Sequence, residues 1–296
     1  MRQRYWHNII NIMTITHRQT ILITGCSSGI GLCVAKALHR RGHQVFASAR
    51  KQIDVERLKG LGLRALRLDL DDSASIKLAV DEVLSQTDGR LDALFNNAAY
   101  GQPGAVEDLS RDVLRAQFET NLFGSHELTN LIIPVMRQQG HGRIIQNSSV
   151  LGLAALPFRG AYNASKFALE GLTDTLRLEL RNTNIHISLI EPGPITSRFR
   201  ANSHQKFLQT IDADNSPFSK NYEGMISRLT KPGPAAPFTL PPEAVLKKVI
   251  HALESPRPQI RYFVTVPTYL FATLRRLLPY RALDWVLARA SSDENR

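Results

Sequence analysis

The chain has 296 residues, 43% of them apolar, and a formal net charge of +11. That length and apolar content suit one α/β unit with a sizeable core, and exclude a disordered or repetitive chain. The positive balance points to anionic partners, but no dense Lys/Arg run occurs, the clearest pair being Arg275-Arg276, which argues against nucleic acid.

Cys26 and Cys33 make no Cys-x-x-Cys pattern, and no His pair stands at zinc spacing. A reducing, cytoplasmic setting fits, and no metal site is expected. In residues 1–18, Asn8 and Asn11 interrupt the isoleucines, so the segment does not read as a signal peptide. It reads as an extension without a structural role, with Met13 as an alternative start to Met1.

The apolar, β-branched run 20–24 predicts a buried strand. Gly25-Cys26-Ser27-Ser28-Gly29-Ile30-Gly31 follows, and then Leu32, Val34, Ala35 and Leu38 keep helical spacing up to Gly42. Strand, glycine turn and helix form the setting that brings backbone N–H groups against a pyrophosphate; the plain alternative is an ordinary Gly-rich turn. A second strand, 44–49, ends at Arg50. An acid there would bind the adenosine ribose, whereas an arginine favours a 2′-phosphate and therefore NADP(H).

Strands are expected at 65–70 and 91–95, with a helix over 73–86 that Ser73 would cap. This alternation predicts a doubly wound parallel sheet. The helical region 110–139 carries Asn121 and Gly124 in its middle. Both are poor helix formers, so a local break is expected, freeing a carbonyl to hold a water. A fifth strand, 142–149, delivers Ser149 to the C-terminal edge of the sheet, where such folds bind ligands.

Tyr162 opens the next helix, 162–180, with Lys166 four residues on. That spacing puts ammonium and phenol on one face. A cation beside a phenol lowers its pKa from about 10 and makes it a usable acid or base. Ser149, a hydroxyl donor, would hold a carbonyl oxygen beside it. A sixth strand, 186–190, closes at Glu191-Pro192-Gly193-Pro194. Residues 195–242 break the rhythm and read either as a substrate lid, with Phe199, Phe207, Phe218 and Leu229 as an apolar roof, or as an accessory helix pair. A helix over 243–253 and a strand over 260–266 complete the catalytic unit, 19–268. The tail, 269–296, is amphipathic and too interrupted to span a bilayer. It packs on its own domain or a second subunit, or lies on a membrane surface.

The pieces Thr24-Gly25-x3-Gly29-x-Gly31, Asp69, Asn96-Asn97-Ala98, Asn121, Ser149, Tyr162-x3-Lys166 and Pro192-Gly193, in this order, resemble the short-chain dehydrogenase/reductase family. The resemblance covers about residues 20–266 and implies a Rossmann-type doubly wound parallel β-sheet flanked by helices, in a single domain. It implies that Tyr162 exchanges the proton, that Ser149 orients the carbonyl, and that Lys166 lowers the Tyr162 pKa and binds the nicotinamide ribose. Asn121 would support a water linked to Lys166. Gly25, Ser27, Gly29, Ile30 and Gly31 would surround the cofactor's phosphates and ribose. Arg50 would face the 2′-phosphate and Asp69 the adenine. Asn97 and Ala98 would lie under the cofactor, and Pro192 and Gly193 beside the nicotinamide. Ala99 departs from the family's usual glycine. Ser148 is the competing hydroxyl, and the thirteen-residue interval to Tyr162 selects Ser149.

Residues 149–158 and the extended C-terminus are similar to the retinol and hydroxysteroid dehydrogenase branch and to bacterial NADP-dependent aldehyde reductases. The expectation is an oxidoreductase acting on a lipophilic aldehyde, ketone or alcohol, assembled as a homodimer or homotetramer. The alternative is a catalytically silent NADP-binding regulatory protein, which would be expected to have lost Tyr162 or Lys166.

Overall fold

The computed structural model describes residues 18–291. The 1–18 extension and its Met1/Met13 alternative lie, Arg18 apart, outside the described residues. Seven strands form one parallel sheet: β1 (Thr20–Ile23), β2 (Gln44–Ala49), β3 (Arg64–Arg67), β4 (Ala93–Asn96), β5 (Gly142–Asn147), β6 (Ile185–Glu191) and β7 (Arg261–Phe263). Their order is β3-β2-β1-β4-β5-β6-β7. The chain works outward from β1 to β3 and then returns to lay β4 on the other side of β1. This reversal opens a crevice between the C-terminal ends of β1 and β4.

Both faces of the sheet are covered. On one face lie α1 (Gly29–Arg40), α2 (Gln52–Gly60) and α9 (Glu243–Glu254). On the other lie α3 (Ser73–Ser85), α5 (Gly124–Gln139) and α6 (Gly160–Glu179). β1 shows how alternation feeds both: Ile21 and Ile23 join Val34, Leu38 and Val249, while Leu22 joins Ile76, Leu128 and Ile132. Each such fully buried aliphatic side chain contributes about 1.5–3 kcal/mol. Every expected strand is found, although β3 and β7 are shorter than their apolar runs. Helix α3 is capped by Asp72, whose carboxylate accepts from Ala74 N at 2.9 Å, not by Ser73. Asp72 sits in extended backbone just before the helix, while Ser73 is already helical and bonds Glu127 instead.

The stretch 195–242 folds as a helix pair, α7 (Phe199–Thr210) and α8 (Ser219–Thr230). Phe207, Tyr222, Met225 and Leu229 bury one another in a small core of its own. The tail also forms two helices, α10 (Val266–Leu277) and α11 (Tyr280–Ala290). Phe271, Leu283 and Leu287 pack on Val150 and Ala154, so one face of the tail docks on its own domain.

Candidate active site

The β1–α1 turn is built by close approach. Gly25 and Gly29 have φ of +70° and +57°, conformations that favour glycine. A Cβ on Gly31 would lie 2.4 Å from the Gly25 carbonyl oxygen and 2.6 Å from Asn97 Nδ2. No side chain caps α1 at Ser28, which leaves its first-turn N–H groups for an anion. Thr24 Oγ1 accepts from the N–H groups of Asn97 and Ala98 at 2.8 and 2.9 Å, tying the ends of β1 and β4 together. Asn97 Nδ2 donates to the Thr24 and Gly25 carbonyls, and its Oδ1 accepts from Asn147 Nδ2 at 2.9 Å. The crevice is thus a rigid backbone cradle that fits a dinucleotide's phosphates. At its rim Arg50 is exposed just beyond β2, and Arg57 on α2 donates to the Ser27 carbonyl at 2.5 Å. Asp69 accepts from Asp71 N and ties its own N–H to Ser75.

The expected break in the 110–139 region is real. Helix α4 (Arg111–Phe118) passes into a π-helical turn, Glu119–Phe123, before α5 begins. A wide turn of this kind re-aims side chains and recurs at functional sites. Here it turns Asn121 inward: Oδ1 accepts from Tyr100 N at 3.1 Å, and Nδ2 donates to the Tyr100 carbonyl and to Ser165 Oγ. Asn121 is therefore a strut between the 100–102 loop and α6.

Ser149 follows β5 and is buried; its Oγ accepts from Leu151 N at 3.1 Å and caps the short turn Val150–Gly152. Tyr162 lies in the first turn of α6, and the Ser149 hydroxyl pulls its phenol pKa downward. Burial outweighs this and pushes Tyr162 up to about 12. This corrects the expected direction. Lys166 is itself buried, its Nζ donates to the Asn147 carbonyl at 2.8 Å, and it stands 5.7 Å from the centre of the Tyr162 ring. Desolvation, not the neighbouring cation, dominates the phenol here.

Ser148 turns away from this group and lies beside Glu170. Val150 N donates to the Pro192 carbonyl at 2.8 Å, and a Cβ on Gly193 would meet Thr265 Oγ1 at 2.1 Å. Of the four roof candidates, Phe199 alone reaches the site, edge-on to Tyr162 with ring centres 5.3 Å apart. Phe207 and Leu229 are sealed inside the α7–α8 core, with Phe218 against it. Sequence reasoning named Thr24 only as the head of the glycine motif, without a role, and missed Asn147, a short polar residue at a strand end that signals nothing by spacing. It also missed Glu170, although Glu170 follows Lys166 at the same interval that links Tyr162 to Lys166.

The short chain dehydrogenase family model matches residues 19–207, a stretch that carries the glycine turn, Ser149, Tyr162, Lys166 and Pro192-Gly193. The chain belongs to the short-chain dehydrogenase family. The uncharacterized oxidoreductase YbbO of Escherichia coli K12 is 46% identical over 270 residues, covering 91% of this chain and 94% of that protein. Human 17-beta-hydroxysteroid dehydrogenase type 1 is 35% identical over 84% of this chain and 78% of its own. Among solved structures, a short-chain dehydrogenase from Streptomyces avermitilis aligns with a TM-score of 0.73 at 26% identity, covering 94% of this chain and 97% of that one. As a short-chain dehydrogenase, the protein is an oxidoreductase of a family that acts on CH–OH groups with nicotinamide cofactors. Among the described residues, no helix is long and apolar enough to cross a membrane.

Proposed function

We propose that the protein is an NADP(H)-dependent oxidoreductase that interconverts a lipophilic aldehyde or ketone and its alcohol, with Tyr162 as acid and base. The observation that carries this is the Tyr162 phenol beside Ser149, with Lys166 anchored on the strand below. Gly25, Ser27, Gly29, Ile30 and Gly31 would hold the cofactor's phosphates, Asp69 its adenine, and Asn97, Ala98, Pro192 and Gly193 the nicotinamide end. Arg50 would pair with the 2′-phosphate, with Arg57 beside it. Bound NADPH supplies the hydride.

Ser149 donates a hydrogen bond to the substrate oxygen and orients it. Tyr162 gives its proton to that oxygen as negative charge develops there. The phenol is protonated at neutral pH and so can give a proton in the reductive direction. Lys166, as an ammonium, binds the nicotinamide ribose and stabilises the phenolate left behind; Asn121 holds the loop and helix that frame this path. The α7–α8 pair serves as the substrate lid, and Phe199 gives the substrate an apolar edge.

In this reading the enzyme is cytoplasmic, consistent with the free thiols of Cys26 and Cys33. It pairs as a homodimer through the exposed Phe123 and Leu172 on neighbouring helices, or as a tetramer. Helix α10 carries a second, exposed apolar face, Val266, Tyr269, Leu270 and Leu277, away from Phe271. With Trp285, Arg276 and Arg281 exposed nearby, this face suits peripheral contact with an anionic membrane.

The test is NADPH oxidation across aliphatic aldehydes, retinal and steroid ketones, with Tyr162→Phe as control. Tyr162→Phe keeps the packing and removes the acid, so kcat is expected to fall by at least ~100-fold while NADPH binding stays. Wild-type turnover by this variant refutes the mechanism. NADPH binding without turnover on any substrate favours the regulatory alternative.

A further inference from the structure

One turn beyond Lys166 on α6 stands Glu170, buried at 6% exposure. Arg261, on the edge strand β7, reaches across β6 to it. The Arg261 Nη1 donates to Glu170 Oε2 and to Glu191 Oε1, and its Nη2 donates to Asp174 Oδ2 at 2.6 Å. Glu191, the last residue of β6, is wholly buried. The remaining oxygens, Glu170 Oε1 and Glu191 Oε2, make no well-aligned hydrogen bond, although Ser148 Oγ lies beside Glu170. The backbone closes on the group: a Cβ at Gly152 would lie 2.9 Å from both Glu170 Cγ and Ser148 Oγ.

Two buried carboxyls sharing one guanidinium do not both ionise readily. Burial raises both, and Arg261 favours the ionised form of both; the charge of Glu170 raises Glu191 further, while the Ser148 hydroxyl favours ionised Glu170. Glu170, at 6% exposure against none for Glu191 and with the Ser148 hydroxyl beside it, is the better placed of the two to carry the negative charge. The charged and titratable groups facing this carboxylate are Lys166 and Asp174 on its own helix, Glu191 from β6 and Arg261 from β7; Arg177 holds Asp174 from the far side at 3.3 Å. Lys166 stands on α6 one turn from Tyr162 and one turn from Glu170, with its Nζ on the Asn147 carbonyl of β5.

We propose that Glu170 is a positioning residue for proton transfer: held by Arg261, its carboxylate keeps the buried Lys166, one helical turn away, an ammonium and so sets the upper pH limit of the reaction. The proposal rests on the Tyr162/Lys166 reading above. The electrostatics agree with the geometry, since burial pushes Lys166 down to about 8 and Glu170 is the charge that pulls it back up. At that value Lys166 is mostly charged at neutral pH, and loss of the carboxylate would carry it toward or below neutrality.

The experiment is the pH profile of kcat/KM for NADPH-dependent carbonyl reduction, from pH 6 to 10, for wild type, Glu170→Gln and Glu191→Gln. Glu170→Gln is expected to move the alkaline limb down by ~1 unit or more, a ~tenfold loss on that limb, with activity at pH 6 within ~3-fold of wild type. Glu191→Gln keeps an oxygen to accept from Arg261 and leaves Glu170 untouched, so the limb is expected to stay in place. A merely structural role for Glu170 would lower activity equally at every pH, and a limb that stays at the wild-type position overturns the proposal. Should Glu170→Gln fail to fold, Glu170→Asp, which draws the charge back by one methylene, is read instead: a lowered limb supports the proposal and an unmoved one overturns it. Tyr162→Phe separates the two levels. If Tyr162→Phe is inactive and the Glu170 limb is unmoved, only this inference fails; if Tyr162→Phe is fully active, the underlying mechanism fails.

Discussion

Gly31→Ala tests the cofactor cradle most sharply, because the atoms in its way cannot yield. The added methyl would stand 2.4 Å from the Gly25 oxygen, 2.9 Å from the Gly25 carbon and 2.6 Å from Asn97 Nδ2. The first two belong to a backbone already at φ +70°, and Asn97 is held by Thr24, Gly25 and Asn147. Overpacking a rigid site costs ~1–3 kcal/mol, and losing one Asn97 hydrogen bond adds ~1–2 kcal/mol. If this strain is relieved by opening the turn, NADPH binding weakens by ~2–5 kcal/mol, or roughly 30-fold to 4,000-fold in Kd. The displacement also runs on through Asn147, whose carbonyl receives Lys166, so kcat is expected to fall with affinity. Fluorescence titration of NADPH measures the first effect and single-turnover kinetics the second. Gly60→Ala, where an added Cβ meets nothing within 4 Å, is the control and is expected to leave Kd unchanged. A Gly31→Ala protein that binds NADPH within twofold of wild type would refute the cradle argument.

Arg50→Asp removes the cation proposed for the 2′-phosphate, and NADPH affinity is expected to fall by ~10- to 100-fold while NADH affinity holds or improves. Equal binding of both cofactors by the wild-type protein would defeat that assignment. Phe199→Ala removes an edge-on aromatic contact worth about 0.5–1.5 kcal/mol, a small cost in melting temperature. Its KM for long-chain or cyclic carbonyls is expected to rise several-fold, with little change for a short aldehyde; the same change for both would remove Phe199 from the substrate path. His43 is buried, and that burial holds its imidazole below the usual value. The folded form therefore resists a proton that the unfolded chain accepts below about pH 6.5, so its contribution is intact at neutral pH and shrinks on acidification. The melting temperature of His43→Gln is expected to fall less than wild type between pH 7 and 5, and identical slopes would show that His43 carries none of the effect.

The sheet was legible because its strands are apolar runs and its glycine turn has a fixed spacing. What escaped was amphipathic signal too weak to read. Helix α2 buries only Val55 and Leu58 among nine residues, and it went unpredicted. Helix α7 buries only Ser203 and Phe207 among twelve, so the 195–242 stretch stayed open between lid and helix pair. The link that seats the pair is also non-local: Tyr222 and Ser216 both donate to Asp108, more than a hundred residues earlier. No window on the sequence contains that contact.

The same division runs through the site. Tyr162 and Lys166 could be paired from sequence because a helix converts an interval of four into a shared face. The sign of the Tyr162 shift could not, because it depends on how much water the fold excludes, and exclusion is a property of the whole packed sheet. The spacing argument gave a cation near a phenol and stopped there. The fold spends that cation's hydrogen bond on Asn147, and it brings Arg261 to Glu170 across 91 positions. Motif spacing therefore names the groups proposed to exchange protons. In the proposed mechanism their charge states depend on residues that no motif contains, and mutating Glu170 or Arg261 should alter the pH dependence of a reaction whose motif residues all remain in place.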